Sequence, residues 1–277
     1  DGRHYGLALM SLANLHMQRF EMELAIRRLR QALGAARRFA VWDLRGLAYH
    51  DLFLISATHG SAAQAARYAF YAVRGYGRFH PRLPALAHDL AWFLILQGRP
   101  RRALAILQAL DDRSMRAPER LLVLSTTAWA AGAAGEAQVF WEAWGAFWQW
   151  LDTVDSYDRA GEALINLAWG AAGLRDATRL EVAAREALRI ALPRQEGQEI
   201  EAAETMLAAL AAGRFPEPPG VAPQSDADLE DALAAAELLL RQLLRTTAII
   251  RTDRPGGGTG PKPLPRSQPV AYDSSPR

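Results

Sequence analysis

Hydrophobic residues recur every three to four positions between residues 86 and 110, with one interruption. Leu86, Leu90, Phe93, Leu94 and Leu96 form the first set; Ala103, Leu104, Ile106, Leu107 and Leu110 form the second. That spacing follows the turn of an amphipathic helix. Gly98 and Pro100 stand between the sets, where they break a helix. The stretch predicts two antiparallel helices joined by a short turn. One such hairpin cannot bury both its faces, whereas stacked copies can, so the pattern should recur along the chain.

It does recur. Within 87–110, a large apolar residue is followed by a small one, Leu90–Ala91. Gly98 comes seven residues later, then small Ala103 and apolar Leu107. Small residues let two helices approach and large ones fill the space beside them. These positions resemble a tetratricopeptide repeat unit. Four other stretches carry the same pattern. Leu12, Ala13, Ala25 and Leu29 match, with Phe20 in the glycine place. Leu52, Phe53, Gly60, Ala65 and Ala69 follow, then Leu124, Ser125, Gly132, Ala137 and Trp141. Leu167 and Ala168 come last, with a longer turn through Gly173 and a second helix from about Asp176. The small-residue places are 13, 53, 91, 125 and 168. They lie further apart than the roughly 34 residues of the standard unit. The resemblance, over residues 3–192, is to the long-helix arrays of bacterial regulatory proteins.

It implies an all-α chain, an α-α superhelix of stacked hairpins over 1–213. A further first helix is predicted over 198–212. "FPEPPGVAPQS" then marks a Pro-rich linker at 214–225. A leucine-rich helix over 226–250 follows, capped by Asp226 or Asp228, and is expected to cap the stack's end. The Gly-, Pro- and Ser-rich segment 251–277 is expected to be a disordered tail.

In arrays of this family, first helices line a concave groove. The resemblance places Met10, His50, His88, Leu122 and Ile165 in one groove row. Asn14, Leu54, Trp92, Thr126 and Trp169 form the next, with Trp129 one turn further on. Aromatic walls with scattered polar groups suit a peptide or protein partner. The expected binding residues are Asn14, His50, His88, Trp92, Thr126, Trp129 and Trp169. Some relatives grip a terminal carboxylate; here Met10 replaces the basic partner of Asn14, which argues against that role. Ordinary packing of Trp92 and Trp169, and of two partly buried histidines, is the competing reading.

Within "QVFWEAWGAFWQWL", Trp141, Trp144 and Trp148 share one helical face, widened by Phe140, Phe147 and Trp150. A helix apolar over so much of its circumference is buried by neighbouring repeats, or it forms a homo-oligomer interface. Arg27, Arg28, Arg30, Arg37 and Arg38 read as a solvated outer face, and "GRPRR" (Arg99, Arg101, Arg102) as a polar turn. Without a recognition helix or stacking platform, nucleic acid is not the expected partner of this region.

Composition narrows the remaining chemistry. Cysteine is absent, which excludes disulfides and thiolate sites and suits a reducing, cytoplasmic setting. The longest apolar runs, Leu90–Leu96 and Met206–Ala212, fall far short of the about 20 residues a bilayer requires, so no membrane partner is expected. "PGGGTGPKP" lacks the Gly-Lys-Ser/Thr of a phosphate-binding loop, and neither a zinc-protease helix nor a nucleophile elbow occurs. Asp111–Asp112, and Asp158 with Glu162, have no evident acid–base partners. No enzymatic activity, metal or cofactor is therefore expected. The net charge of +2 is unevenly spread: residues 1–120 carry 18 Arg against 9 acids, residues 121–247 carry 9 Arg against 19 acids. Such a division can orient a partner or reflect a solvated Arg-rich surface. The leading expectation is a non-enzymatic scaffold or adaptor that binds a protein or peptide. The alternative is the ligand- or peptide-sensing region of a bacterial helix-turn-helix transcription regulator with its DNA-binding domain before Asp1.

Overall fold

The structure is a computed structural model that describes residues 2–110, 115, 117–152, 159–218 and 227–252, with side chains of the last helix described as far as Leu244. Twelve helices and no strands are found among them. They are α1 (Gly2–Gln18), α2 (Met22–Arg38), α3 (Trp42–His59), α4 (Ala62–Tyr76), α5 (Leu83–Leu96), α6 (Pro100–Leu107), α7 (Ala117–Ala134), α8 (Ala137–Leu151), α9 (Ala160–Gly173), α10 (Ala177–Arg194), α11 (Gly197–Ala211) and α12 (Ala227–Thr252). The expected tail at 251–277 lies almost wholly outside the described residues. So does much of the linker, of which residues 214–218 are described and non-helical.

Helices pack in consecutive pairs, α1 with α2, α3 with α4, α5 with α6, α7 with α8 and α9 with α10, and each odd-numbered helix from α1 to α9 also touches the next odd-numbered one. The even-numbered helices bury one stripe. On α2 this is Ala25, Leu29, Ala32 and Ala36; on α10 it is Leu180, Ala183, Ala184 and Ala187. The central odd-numbered helices α3, α5, α7 and α9 are more fully enclosed. α9 is buried from Ala160 through Ala172 except at Glu162, because α7, α10 and α11 surround it. All five small-residue places read from the sequence, held by Ala13, Phe53, Ala91, Ser125 and Ala168, are fully buried.

Seven helices end in the same way. A residue with positive φ (Phe20, Ala40, Gly98, Gly135, Arg175, Gln195 or Gly213) is followed by one whose N–H reaches back five residues to a helix carbonyl. This closure satisfies end carbonyls that the helix itself cannot. It also corrects two expected turn glycines. Gly132 and Gly173 lie inside helices, and the reversal after α7 is made by Gly135, at φ +74°. Gly60 likewise sits in extended backbone (φ −125°), not in a left-handed turn.

Gly132 has a different task. A Cβ placed on it would stand 2.0 Å from the Gly170 carbonyl oxygen, and one on Gly170 would stand 2.5 Å from the Ala128 carbonyl oxygen. α7 and α9 therefore cross backbone to backbone. Counting back seven residues from Gly135, as from Gly98 to Ala91, gives Ala128 in place of Ser125. The fourth unit thus shifts by three residues, and Trp129 moves into the row of Trp92 and Trp169.

The last helix departs most from expectation. α12 packs on α4 and reaches α6, in the middle of the chain, instead of capping the final hairpin. Leu229, Leu233, Ala236 and Leu240 are its buried stripe. At its start Asp228 meets Arg67 at 2.6 Å, and Glu230 pairs with Arg99 and with Arg102. Two turns on, Glu237, only 6% exposed, bonds Arg102 at 2.6 Å and Arg241 at 3.3 Å. Arg99 and Arg102 are accordingly the anchor for α12 and not merely a polar turn. Part of the charge division along the chain is neutralised internally by this contact.

Candidate functional site

Helices α3, α4, α5, α7 and α9 carry a continuous line of hydrogen-bonded side chains. His50 on α3 lies 3.0 Å from the Tyr76 hydroxyl through Nδ1 and 2.8 Å from Asp89 Oδ2 through Nε2. The other Asp89 oxygen is 2.9 Å from His88 Nδ1 on α5. His88 Nε2 is 2.9 Å from Thr126 Oγ1 on α7, and Asn166 Nδ2 on α9 reaches the same oxygen at 3.4 Å. One proton arrangement satisfies every link. Tyr76 O–H donates to His50, His50 and His88 each donate an N–H to ionised Asp89, Thr126 O–H donates to His88, and the Asn166 amide donates to Thr126.

The line follows the repeat spacing. Each residue of the His50/His88 row bonds the residue one place further along in the next unit: His50 to Asp89, His88 to Thr126. Asp51 occupies the place equivalent to Asp89, but its counterpart in the preceding unit is Met10, which offers no donor. Asp51 Oδ2 is accordingly buried without a partner. Burial then dominates its titration and raises its pKa to about 6, against smaller downward pulls from His50 and Arg82. For Asp89 burial opposes ionisation too, but the hydrogen bonds from His50 and His88 outweigh it and hold this carboxyl well below its usual range. Burial also pushes the Tyr76 phenol upward, keeping it a donor at neutral pH.

Two clefts flank this line. The larger, about 610 Å³, lies between the α4–α5 turn, α5 and the start of α7, and includes Arg82, His88, Asp89, Glu119, Leu122 and Arg159. The second, about 230 Å³, lies between α5, α7, α9 and α11. Trp92, Trp129, Trp169, Asn166, Glu162 and Glu199 line it. Asn166 and His88 connect the clefts through Thr126.

Thr126, His88 and Asp89 reproduce the connectivity of a nucleophile, base and orienting acid. Thr126 is fully buried and lines neither cleft, so its hydroxyl cannot meet a substrate there. The line ties α3, α4, α5, α7 and α9 together in one register, since each bond between helices requires the two it joins to be aligned.

Of the binding residues expected from sequence, His50, His88 and Thr126 belong to the polar line, while Trp92, Trp129 and Trp169 share one cleft. Asn14 is exposed on α1 and joins neither cleft. Asp89 was not anticipated. Its signal was the dipeptide His-Asp, occurring at residues 50–51 and again 38 residues later. On α8 the buried stripe is Phe140, Ala143, Phe147 and Leu151. Trp144 and Trp148 are half-buried beside it, their rings tilted to one another with centroids 5.7 Å apart, and Trp141 is exposed. The three tryptophans considered as an oligomer interface thus do not present one uniform exposed face. Arg27, Arg30, Arg37 and Arg38 are exposed on α2. Glu162 is held by Arg159 through two bonds of 2.8 Å, while Asp111, Asp112 and Asp158 lie outside the described residues.

Comparison with known proteins gives no match to a family model, to a curated protein or to a solved structure. Among the described residues, no cluster of three or more His, Asp or Glu has the arrangement of a metal site. No described helix is long and apolar enough to cross a membrane.

Proposed function

We propose that the chain is a tetratricopeptide-like stack of helical hairpins that binds a segment of another protein along its inner face, without chemistry of its own. The observation that carries this reading is the cleft formed by Trp92, Trp129 and Trp169 from three successive inner helices. Indole rings supply large apolar area at little entropic cost, and they dominate the energetics of protein interfaces. The common turn geometry and alternating helix contacts support the stacked arrangement. The polar line supports an inner face held in one register, as a preorganised groove requires.

The test is selection of a displayed random peptide library on the full chain, followed by affinity measurement with Trp92→Ala, Trp169→Ala and, as a control, Trp141→Ala on the outer α8. Selected peptides should lose at least tenfold in affinity with each inner variant and less than twofold with the control. Equal binding to all three variants, with circular dichroism unchanged, overturns the assignment.

A further inference from the structure

We propose that the tryptophan-lined cleft receives a cationic side chain, arginine or lysine, of the bound polypeptide. This rests on the peptide-binding reading and adds the chemistry of the anchor. Size is the first argument. At about 230 Å³ the cleft is smaller than the roughly 300–1,000 Å³ typical of sites for whole small molecules. A single long side chain on a larger ligand suits it better.

Its lining supplies the second argument. Three indoles converge there, and the negative face of an indole attracts a cation more strongly than that of any other aromatic side chain. Two carboxylates, Glu162 and Glu199, stand in the same wall, both partly exposed. Glu162 already holds the guanidinium of Arg159. Glu199 has no ion-pair or hydrogen-bond partner among the described residues. An aromatic pocket with an unpaired carboxylate is poorly suited to an aliphatic or acidic anchor, since either would leave the charge uncompensated or repelled.

The 19 acids against 9 Arg of residues 121–247 also bias the approach toward a basic segment.

The test uses the peptides selected above, each synthesised with arginine and with its neutral isostere citrulline at the conserved basic position. Affinities are measured for the full chain and for Glu199→Gln, with circular dichroism and a urea midpoint to verify folding. The expected result is a Kd raised at least tenfold by citrulline. Glu199→Gln should cost the arginine peptide about tenfold and the citrulline peptide less than twofold. Selected peptides without a recurrent basic residue, citrulline binding within twofold of arginine, or equal losses for both peptides in Glu199→Gln would overturn the inference. Peptides that need Trp92 and Trp169 but ignore charge leave the groove reading intact and remove only the cation. Peptides indifferent to both tryptophans remove both.

Discussion

Replacing Gly132 with alanine adds one methyl group at the closest helix crossing. An ideal Cβ there stands 2.0 Å from the Gly170 carbonyl oxygen and 2.6 Å from its carbon, where ordinary contact begins at about 3.4 Å. α7 and α9 must therefore part by roughly 1.4 Å along that line, a gap large enough to forfeit a quarter to a half of each dispersion contact it opens. The neighbouring contacts of Gly173 on Gly132 and of Gly170 on Ala128 belong to the same crossing and loosen with it. Overpacking of this kind costs about 3 kcal/mol at the upper end of its usual range, and the better helix propensity of alanine returns about 1 kcal/mol. The expected net loss is about 2 kcal/mol, or a fall in Tm of roughly 4–8 °C for a chain of this size. Gly34→Ala and Gly145→Ala are the matched controls. Both residues lie inside helices, and a Cβ on either meets nothing within 4 Å. Each should gain about 1 kcal/mol from propensity alone. Urea and thermal unfolding followed by far-ultraviolet circular dichroism would decide the matter. If Gly132→Ala is as stable as the parent, or gains like the controls, α7 and α9 do not cross as described.

The left-handed turn residues give a second set of expectations. Phe20→Gly and Gln195→Gly should each stabilise by about 0.5–1 kcal/mol, the left-handed cost less the entropy of glycine, and Gly135→Ala should destabilise by about 1 kcal/mol; urea midpoints report all three. Glu237→Ala leaves Arg102 and Arg241 without their shared carboxylate, so a loss of about 1–2 kcal/mol is expected after discounting for their partial exposure, together with faster proteolysis of α12. Glu230 titrates below its ordinary 4.5, chiefly through Arg99 and then Arg102, so its contribution is complete above that value and is lost as pH falls through the lower folded pKa. Asp51 has the opposite sign. Its folded pKa of about 6 lies above the ordinary 3.8, so the burden it imposes is absent below 3.8 and complete only above 6. Asp51→Asn should thus stabilise the chain at pH 8 by up to about 3 kcal/mol and leave it unchanged at pH 3, as comparison of urea midpoints would reveal.

Much of the fold was legible because helix periodicity and its interruptions are local. The segments expected at 198–212 and 226–250 appear as 197–211 and 227–252. Phe20, assigned to a glycine place by alignment alone, does adopt a positive φ of 59°. The fourth unit misled by one turn because two glycines, 132 and 135, stand three residues apart, and sequence does not say which reverses the chain and which lets helices touch. That slip separated Trp129 from Trp92 and Trp169. His50 and His88 were legible as equivalent positions, but the cross-unit bond to Asp89 depends on stacking offset, which has no local signature. The seat of α12 was invisible for a related reason: Arg99 and Glu230 become partners only through a fold that brings together residues 131 positions apart.

The placement of α12 has a bearing on synthesis. α6 ends at residue 107, and α12 begins at residue 227. At ordinary translation speeds of about 5–20 residues per second, the roughly 120 intervening residues take about 6–24 seconds to make. During that interval α4 and α6 have left the ribosome without the helix that covers them. Their apolar side is open to solvent, to other nascent chains and to chaperones, so the time taken to translate the second half sets how long the first half stays vulnerable.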